Sequence, residues 1–177
     1  MKILETLFGK ALVFESDGRE DQRGRVTMFS PDDLGKAIPG FVLKEQRIYS
    51  MPKPHTFFGI HFQQDPYPQA KLISVLHGKG LDFVVDLRRE SDTYCQWKAL
   101  ELSGDQPLAV YIPAGFGHAF LSLEADTVQF FAADEHFFTG FARSVSYMDP
   151  DIGLELPCRD LILSDQDRLA PFLKVLD

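Results

Sequence analysis

The pattern of apolar and polar positions along the chain is typical of short β-strands. Between residues 40 and 150, runs rich in Phe, Val, Ile and Leu alternate with clusters of Gly, Pro, Asp and Ser. Runs of this length at roughly regular spacing predict an all-β sandwich or jelly roll. The predicted strands of this region are 41–50, 55–63, 70–77, 81–88, 97–103, 108–113, 118–123, 127–133 and 142–148.

The two ends of the chain add further elements to this β pattern. Two strands, 11–14 and 25–29, precede a short helix with Ser30 as its cap and Pro31 in its first turn. A second helix is predicted to begin near Ser164. The expected fold is therefore all-β with short peripheral helices. The apolar positions that recur at helical spacing in the second helix are Leu169, Phe172, Leu173 and Leu176.

The chain is expected to form a single domain spanning residues 1–177. Its length is that of one ordinary domain, and it contains neither an internal repeat nor a linker. The 16 Phe are a heavy aromatic load, which favours a thick β core. The segment Gly78-Lys79-Gly80 is predicted to be a tight hairpin turn between two strands, because glycine adopts the positive φ angles that such turns need.

Charge and composition exclude several classes of partner. The chain has 26 Asp and Glu and 18 Lys and Arg. The basic residues form no cluster that could follow a phosphate backbone, so nucleic acid is not expected as a partner. An anionic small-molecule ligand is not excluded, because a few cationic side chains that converge in a pocket are enough to bind it. No apolar run is long enough to cross a membrane. Charged residues interrupt the first fifteen positions, which therefore lack the apolar core of a signal peptide, and a cytoplasmic location is expected. Cys95 and Cys158 lack the spacing of a metal or redox motif, which fits a reducing compartment.

The segment Pro113-Ala114-Gly115-Phe116-Gly117-His118 matches the P-x-G-x-x-H turn of cupins. In that turn the glycine permits a sharp reversal, and the histidine begins the next strand and points into the barrel. The alternative interpretation is a half-buried His118 that bonds a backbone carbonyl. The motif therefore favours a cupin jelly roll, with His118 as a candidate pocket residue.

A metal site is not expected, and neither is a cofactor. Many cupins bind a metal through two histidines separated by one residue, a carboxylate and a later histidine. Here the first pair would be His61 and Gln63, and no carboxylate follows at a suitable spacing. Because an amide is a far weaker ligand than an imidazole, this pattern argues against a transition metal.

The strand around His61 has one apolar and one polar face. In a regular strand Phe58 shares its face with Ile60 and Phe62, and His61 lies on the other face. In a closed barrel the polar face can line a pocket. The next strand begins at Lys71, so its ammonium could lie opposite the imidazole; a solvated lysine at a strand start is the alternative.

Several segments together resemble the dTDP-4-dehydrorhamnose 3,5-epimerase family. The match extends over about residues 20 to 170 in order and in spacing, which is much more specific than any single motif. The matching segments are 58–62 (FGIHF), 68–72 (PQAKL), 84–88 (VVDLR), Trp97, 101–103 (ELS), 112–121 (IPAGFGHAFL), Asp149-Pro150 and 163–167 (LSDQD).

This resemblance implies a metal-free cupin dimer that acts on a nucleoside-diphosphate 4-keto-6-deoxy sugar. It implies that His61 removes the proton from the carbon next to the C4 ketone and that Asp167 assists it, as the aspartate does in a Ser-His-Asp triad. It also places Lys71 beside the enolate oxygen, where negative charge develops. The alternative for Asp167 is the last residue of a capping box opened by Ser164.

The resemblance assigns further residues to substrate binding. It implies that His118 is a second pocket histidine and that Arg23 meets the phosphates of the substrate. Gln46 matches a nucleoside contact. Asp86, by contrast, is interpreted from its buried strand neighbours as an internal hydrogen-bond anchor.

Two departures from the family pattern concern the return of the proton. The family has a tyrosine that donates a proton from the face opposite the histidine, and the register counted from His118 places Phe130 there. Phenylalanine has no proton to donate. The next tyrosine of the pattern falls at or near His136, which could act as a substitute acid because the unperturbed pKa of histidine is near neutral.

Other departures concern the nucleotide. Phe58 stands for a family arginine, Ile48 for an asparagine and Met28 for a glutamate. Loss of an arginine that binds phosphate removes a charge-assisted bond, so the nucleotide is expected to differ or to be bound differently. The cations that could compensate are Lys53, Arg47 and Arg25.

The sequence therefore predicts a cytoplasmic, homodimeric epimerase or isomerase that acts on a nucleotide-linked 4-keto-6-deoxy sugar by enolisation, at one carbon or at two. The alternative, from another class of protein, is a sugar-nucleotide-binding cupin that has lost turnover together with the tyrosine. The two hypotheses differ in which group lies opposite His61 across the sugar ring.

Overall fold

The structure is a computed structural model that describes residues 1–176. Most of this range is strand. The first seven strands are β1 (Lys2–Leu7), β2 (Ala11–Glu15), β3 (Asp17–Asp21), β4 (Gly24–Met28), β5 (Glu45–Met51), β6 (Phe57–Gln63) and β7 (Lys71–His77). The remaining strands are β8 (Lys79–Asp86), β9 (Trp97–Ser103), β10 (Leu108–Ile112), β11 (Phe116–Ser122), β12 (Thr127–Ala133) and β13 (Ala142–Val145).

The helices are short and lie between or after the strands. Helix α1 is Pro31–Ala37, α2 is Asp165–Arg168, and a 3-10 turn spans Leu173–Val175. The predicted terminal helix is thus wrong in its length. Pro171 interrupts it, because proline disfavours the helical conformation of the residue before it. Within residues 1–176, no helix is long and apolar enough to span a membrane.

The strands form two antiparallel sheets and one separate hairpin. The six-stranded sheet has the order β1-β2-β10-β7-β12-β5, and the five-stranded sheet has the order β13-β6-β11-β8-β9. Strands β3 and β4 pair only with each other. Residues of both sheets share one interior cluster, which includes Ile73 and Phe131 from one sheet and Val84, Phe116 and Phe120 from the other. The all-β jelly roll with short helices is confirmed.

Two further apolar layers cover the outer faces of the sheets. The segment after β13 packs Ile152 and Leu173 against the five-stranded sheet, where Phe57, Ile60 and Phe83 are buried. Helix α1 covers the other sheet in the same way. The phenylalanines thus fill three layers, as the composition predicts.

The predicted hairpin at Gly78-Lys79-Gly80 is wrong. Strand β7 belongs to the six-stranded sheet and β8 to the five-stranded one, so this segment carries the chain from one sheet to the other. Gly78 has φ 70°, and a Cβ there would lie 2.7 Å from Thr127 Oγ1. The glycine serves the crossover because of its conformation and its missing side chain.

Asp86 is an internal hydrogen-bond anchor, as predicted. Its buried carboxylate accepts hydrogen bonds from Arg88 Nε at 2.8 Å and Arg88 Nη2 at 2.6 Å, from Ser91 at 2.7 Å and from Thr93 at 2.5 Å. Burial alone would raise the pKa of Asp86, but the hydrogen bonds from Arg88, Thr93 and Ser91 outweigh it and lower the pKa to about 2. The ionised carboxylate therefore stabilises the loop after β8.

We expect Asp86→Asn to lower the free energy of unfolding at pH 7 by about 2 kcal/mol, because charge-assisted hydrogen bonds are lost. The folded pKa of Asp86 lies below the unfolded one, so the wild-type contribution is present above about pH 4 and is lost as the pH falls towards 2. Urea unfolding between pH 2 and 7 measures both effects. Asp92→Asn, on the exposed part of the same loop, is the control. An equal loss in both variants contradicts the anchor.

Candidate active site

A cavity of about 220 Å³ opens between the two sheets at the end where β7 begins. Strands β5, β7 and β12 form one wall, and β6, β11 and β13 form the other. The lining is mixed, with cationic, amide and aromatic side chains. It consists of Arg47, Tyr49, Phe58, His61, Phe62, Gln63, Gln69, Lys71, His118, Gln129, Phe131, Phe137, Ala142, Arg143 and Gln166.

His61 forms a close pair with Asp167. Its Nε2 lies 2.6 Å from Asp167 Oδ1, and the carboxylate is almost completely buried. Ser164 Oγ donates to Asp167 Oδ2 at 2.7 Å and accepts from Asp167 N at 3.1 Å. Asp167 therefore takes part in the capping box and also contacts His61, although the sequence presented these two roles as alternatives. Burial would raise the pKa of Asp167, but the hydrogen bonds with His61 and Ser164 lower it overall, so the carboxylate is ionised.

Gly59 makes room for this pair. A Cβ at Gly59 would lie 2.6 Å from Asp167 Oδ1, a distance that no real contact tolerates. The backbone of Gly59 also bonds the Asp167 carboxylate. The carboxylate therefore reaches the imidazole only because this position of β6 has no side chain.

A β-bulge in β6 changes the predicted faces of that strand. His61 pairs with His118, yet Phe58 pairs with Phe120, so three steps on β6 oppose two on β11. Because of the extra residue, Phe58 and His61 both line the cavity, while Ile60 is buried on the outer side. The prediction that His61 faces away from Phe58 is wrong, because strict alternation ends at a bulge.

His118 belongs to a second histidine–aspartate pair. Its Nε2 lies 2.6 Å from Oδ2 of Asp82, which is completely buried. The alternative of a histidine bonded to a backbone carbonyl is wrong. Asp82 was not predicted from the sequence. Its position two residues before Val84, on the inward face of β8, is the signal that could have identified it.

Lys71 is a buried cation without a hydrogen-bond partner. The side chain is 4% exposed, and within residues 1–176 no atom of the protein bonds its Nζ. Burial lowers its pKa to about 8, against the attraction of Asp134 and Asp82. The alternative of a solvated lysine is wrong. At neutral pH the cavity therefore holds an ammonium that is ready to meet an anionic oxygen.

The wall opposite His61 is built around Arg47, which the sequence could not place. Its guanidinium lies 4.8 Å from the ring centre of Phe137 and 5.7 Å from that of Phe131, and it pairs with Glu45. Of the three cations considered as compensation, Arg47 lines the cavity. Arg25 instead donates to the Gly104 carbonyl at 2.6 Å, and Lys53 is not part of the lining. Arg143 supplies a second guanidinium.

Three predicted binding residues lie elsewhere. Phe130 stacks on Phe29, with ring centres 5.7 Å apart, and shares an outer groove with Gln46. His136 is not among the cavity residues, and its side chain is 63% exposed. None of the three therefore lines the cavity, contrary to the prediction. For Phe130 the reason is that one residue along a strand reverses the face, whereas His136 lies in the loop after β12. The neighbouring residues Phe131 and Phe137 line the cavity instead.

Arg23 is also outside the cavity of its own chain. It lies at the turn between β3 and β4, pairs with Asp21 at 2.6 Å, and is 79% exposed. Gln63, at the position of the second cupin histidine, directs its amide to the backbone: Nε2 donates to the carbonyl of Tyr67 at 2.6 Å, and Oε1 accepts from the amide of Phe138 at 2.8 Å. This glutamine holds the loops at the cavity mouth.

Comparison with known proteins shows what the chain is similar to. The family model of dTDP-4-dehydrorhamnose 3,5-epimerase matches residues 5–175. A relative of that name from Methanothermobacter thermautotrophicus is 31% identical over 94% of this chain and 91% of its own length.

Solved structures give the same result. The dTDP-4-dehydrorhamnose 3,5-epimerase of Bacillus anthracis, with TDP and PPi bound, superposes with a TM-score of 0.93 at 32% identity, over 97% of this chain and 99% of that one. ChmJ, a 3'-monoepimerase from Streptomyces bikiniensis, superposes with a TM-score of 0.88 at 31% identity, over 99% and 88% of the two chains. The latter structure is a double mutant with dTDP, in which a histidine is changed to asparagine and a tyrosine to phenylalanine.

We expect Lys71→Met to raise the free energy of unfolding at pH 7 by on the order of 3 kcal/mol, because the folded state no longer holds a buried, unpartnered ammonium. The folded pKa of about 8 lies below the unfolded value of 10.5. The wild type therefore regains stability as the pH rises from 8 to 10.5, and the advantage of the variant shrinks over that range. Urea unfolding at pH 7 and 10 measures it. Lys98→Met, at an exposed position, is the control. No gain at pH 7 contradicts the cost assigned to Lys71.

Proposed function

The chain belongs to the dTDP-4-dehydrorhamnose 3,5-epimerase family, and from this membership we propose that its cavity is the active site, with His61 as the base. The family membership makes it an isomerase that acts on a nucleotide-linked 4-keto-6-deoxy sugar, and it favours an enzyme over the alternative of a binding protein without turnover. One observation carries the proposal for the site: His61 is paired with a buried aspartate and faces the same cavity as an unpartnered buried ammonium.

The proposed base acts through its second nitrogen. Asp167 occupies Nε2 of His61, which leaves Nδ1 for the proton of the substrate. The ionised carboxylate fixes the tautomer and stabilises the imidazolium that forms when Nδ1 takes the proton. His61 thereby removes the hydrogen from the carbon next to the C4 ketone, and the electron pair of the C–H bond moves into an enolate.

Lys71 is proposed to stabilise that enolate. A ketone next to a carbanion carries its new negative charge on oxygen, and a desolvated ammonium stabilises such a charge far more than water does. His118 is proposed as a neighbouring substrate contact, because its pair with Asp82 fixes its ring beside His61. Lys71 thus supplies the positive charge for the ketone oxygen.

Arg47 and Arg143 are proposed to bind the diphosphate of the substrate. Both line the cavity, and guanidinium groups bind phosphate oxygens in pairs. They take over from the family arginine whose position is occupied by Phe58. The related Bacillus anthracis structure contains TDP and PPi, which supports a nucleoside diphosphate in this cavity.

We also propose a homodimer in which Arg23 reaches the partner's cavity. An isolated two-stranded hairpin such as β3–β4 is marginal in water, and it exposes Val26 and Met28. The free edge strand β5 also exposes Ile48. A second copy would cover these surfaces. A cytoplasmic location is proposed from the two free thiols, Cys95 and Cys158.

The base is tested by hydrogen exchange into the substrate. With dTDP-4-dehydro-6-deoxyglucose in deuterated water, we expect wild-type protein to introduce deuterium next to the ketone and His61→Asn to do so at least about 100-fold more slowly, the contribution of one general base. Mass spectrometry measures the exchange, and NMR assigns the carbon. His77→Asn, an exposed histidine at the end of β7, is the control. If wild-type protein introduces no deuterium into dTDP-, CDP- or GDP-linked 4-keto sugars, the proposal is contradicted.

The dimer is tested by complementation. Alone, Arg23→Ala and His61→Asn are each expected to be impaired, the first because a phosphate contact is lost. When the two are coexpressed, a mixed dimer contains one site with both wild-type residues, so about a quarter of wild-type activity returns. Activity of the mixture equal to the mean of the two variants contradicts the shared site.

A further inference from the structure

The two walls of the cavity offer different chemistry to the two faces of a bound sugar. His61 and His118 come from the five-stranded sheet, and Arg47, Tyr49, Gln129 and Phe131 come from the six-stranded sheet. A sugar ring held between the sheets therefore has the base on one face and the side chains of β5 and β12 on the other. Inversion at carbon requires a proton from that second wall.

Phe131 cannot supply this proton. In the ChmJ double mutant, the altered histidine and tyrosine stand as many residues apart as His61 and Phe131 do here. The family tyrosine thus corresponds to Phe131, one residue beyond the position that sequence counting gave. A phenylalanine ring at this place keeps the shape of the wall but has no exchangeable hydrogen.

A hydroxyl is present one strand away, on Tyr49 of β5. Its ring centre lies 6.0 Å from that of Phe131 and 5.2 Å from that of Phe58, so it fills the space between the two walls. Among the cavity-lining residues that the structure describes, Tyr49 has the one hydroxyl group. Of the other groups of this wall, an arginine stays protonated and an amide is too weak to serve as an acid. Lys71 of β7 is already assigned to the enolate oxygen.

The hydroxyl of Tyr49 lies beside the guanidinium of Arg47. Arg47 Nη1 lies 3.3 Å from the phenol oxygen and can donate to it. The phenolic hydrogen is then free to point into the cavity, and the guanidinium faces the phenolate that remains after proton transfer. Arg47 is itself held in place by Glu45 and by the rings of Phe131 and Phe137.

A second group at this place also lacks a partner. Gln129 is the cross-strand neighbour of Tyr49 in the β5–β12 ladder. Its amide nitrogen is buried, 2% of the residue being exposed, and within the described part of the chain no atom bonds it. An unpaired buried donor costs stability unless a ligand oxygen meets it. The sugar is thus expected to contact the wall beside Tyr49.

We propose that Tyr49 is the acid that returns the proton on the face opposite His61, an inference that rests on the proposed function. His61 Nδ1 takes the hydrogen from one face, and the C–H electron pair forms the enolate beside Lys71. The enolate carbon then takes the hydrogen of Tyr49 from the other face, and the ketone re-forms. His61 has then gained the hydrogen of the substrate and Tyr49 has lost its own to carbon, and proton exchange with water resets both groups.

The experiment separates proton removal from proton return. With dTDP-4-dehydro-6-deoxyglucose in deuterated water, Tyr49→Phe should invert configuration at least about 100-fold more slowly than wild type, while deuterium still enters next to the ketone within about threefold of the wild-type rate. Mass spectrometry reports the exchange and NMR the configuration. Adding Phe131→Tyr should restore inversion, because it returns a hydroxyl to the same wall.

Tyr111→Phe is the matched control, since this tyrosine of β10 packs on the outer face of the same sheet. Wild-type inversion in Tyr49→Phe overturns the inference, and so does a parallel loss of exchange and inversion. Failure of the proposed function has a different signature: wild-type protein then shows no exchange, and neither does any variant.

Discussion

The site depends on one contact between residues far apart in the chain, the 2.6 Å pair of His61 and Asp167. The pair requires a strand position without a side chain, Gly59, and a helix start at which Ser164 orients the carboxylate. It also requires the last segment of the chain to dock against β6, which backbone hydrogen bonds between His55, Phe57 and Ile162 accomplish. The histidine–aspartate pair exists because these three conditions hold together.

Much of the fold and half of the site could be predicted from the sequence. The strands from β6 to β12 were found because apolar runs and turn residues are local signals, and His61, Lys71 and His118 were found because family motifs keep their spacing. Phe130 was predicted in place of Phe131 because the family register was counted one residue too short. An error of one residue along a strand moves the predicted side chain to the opposite face. Tyr49 was missed as a cavity residue, and Arg47 was named but could not be placed, because both positions depend on which strand lies beside β12, a non-local fact.

The cavity also contains polar groups whose burial is energetically unfavourable. Among residues 1–176, three buried polar atoms around the cavity have no hydrogen-bond partner: Lys71 Nζ, Gln129 Nε2 and Asp82 Oδ1. The other carboxylate oxygen of Asp82 is bonded to His118. Each unpaired group costs free energy in the empty protein. A substrate with oxygens at the right places removes that cost, and a charge that appears during reaction meets groups that need no reorganisation. The surrounding aromatic layers supply the stability that offsets this arrangement.

The bulge in β6 limits how this gene can change in length. The strand has one residue more than its partner needs between Phe58 and His61, so deletion of Gly59 or Ile60 would give a regular ladder. Either deletion removes something else, because Gly59 admits the carboxylate of Asp167 and Ile60 fills the apolar layer behind the sheet. A better-paired strand would thus lose either the space for the Asp167 carboxylate or the apolar contact behind the sheet.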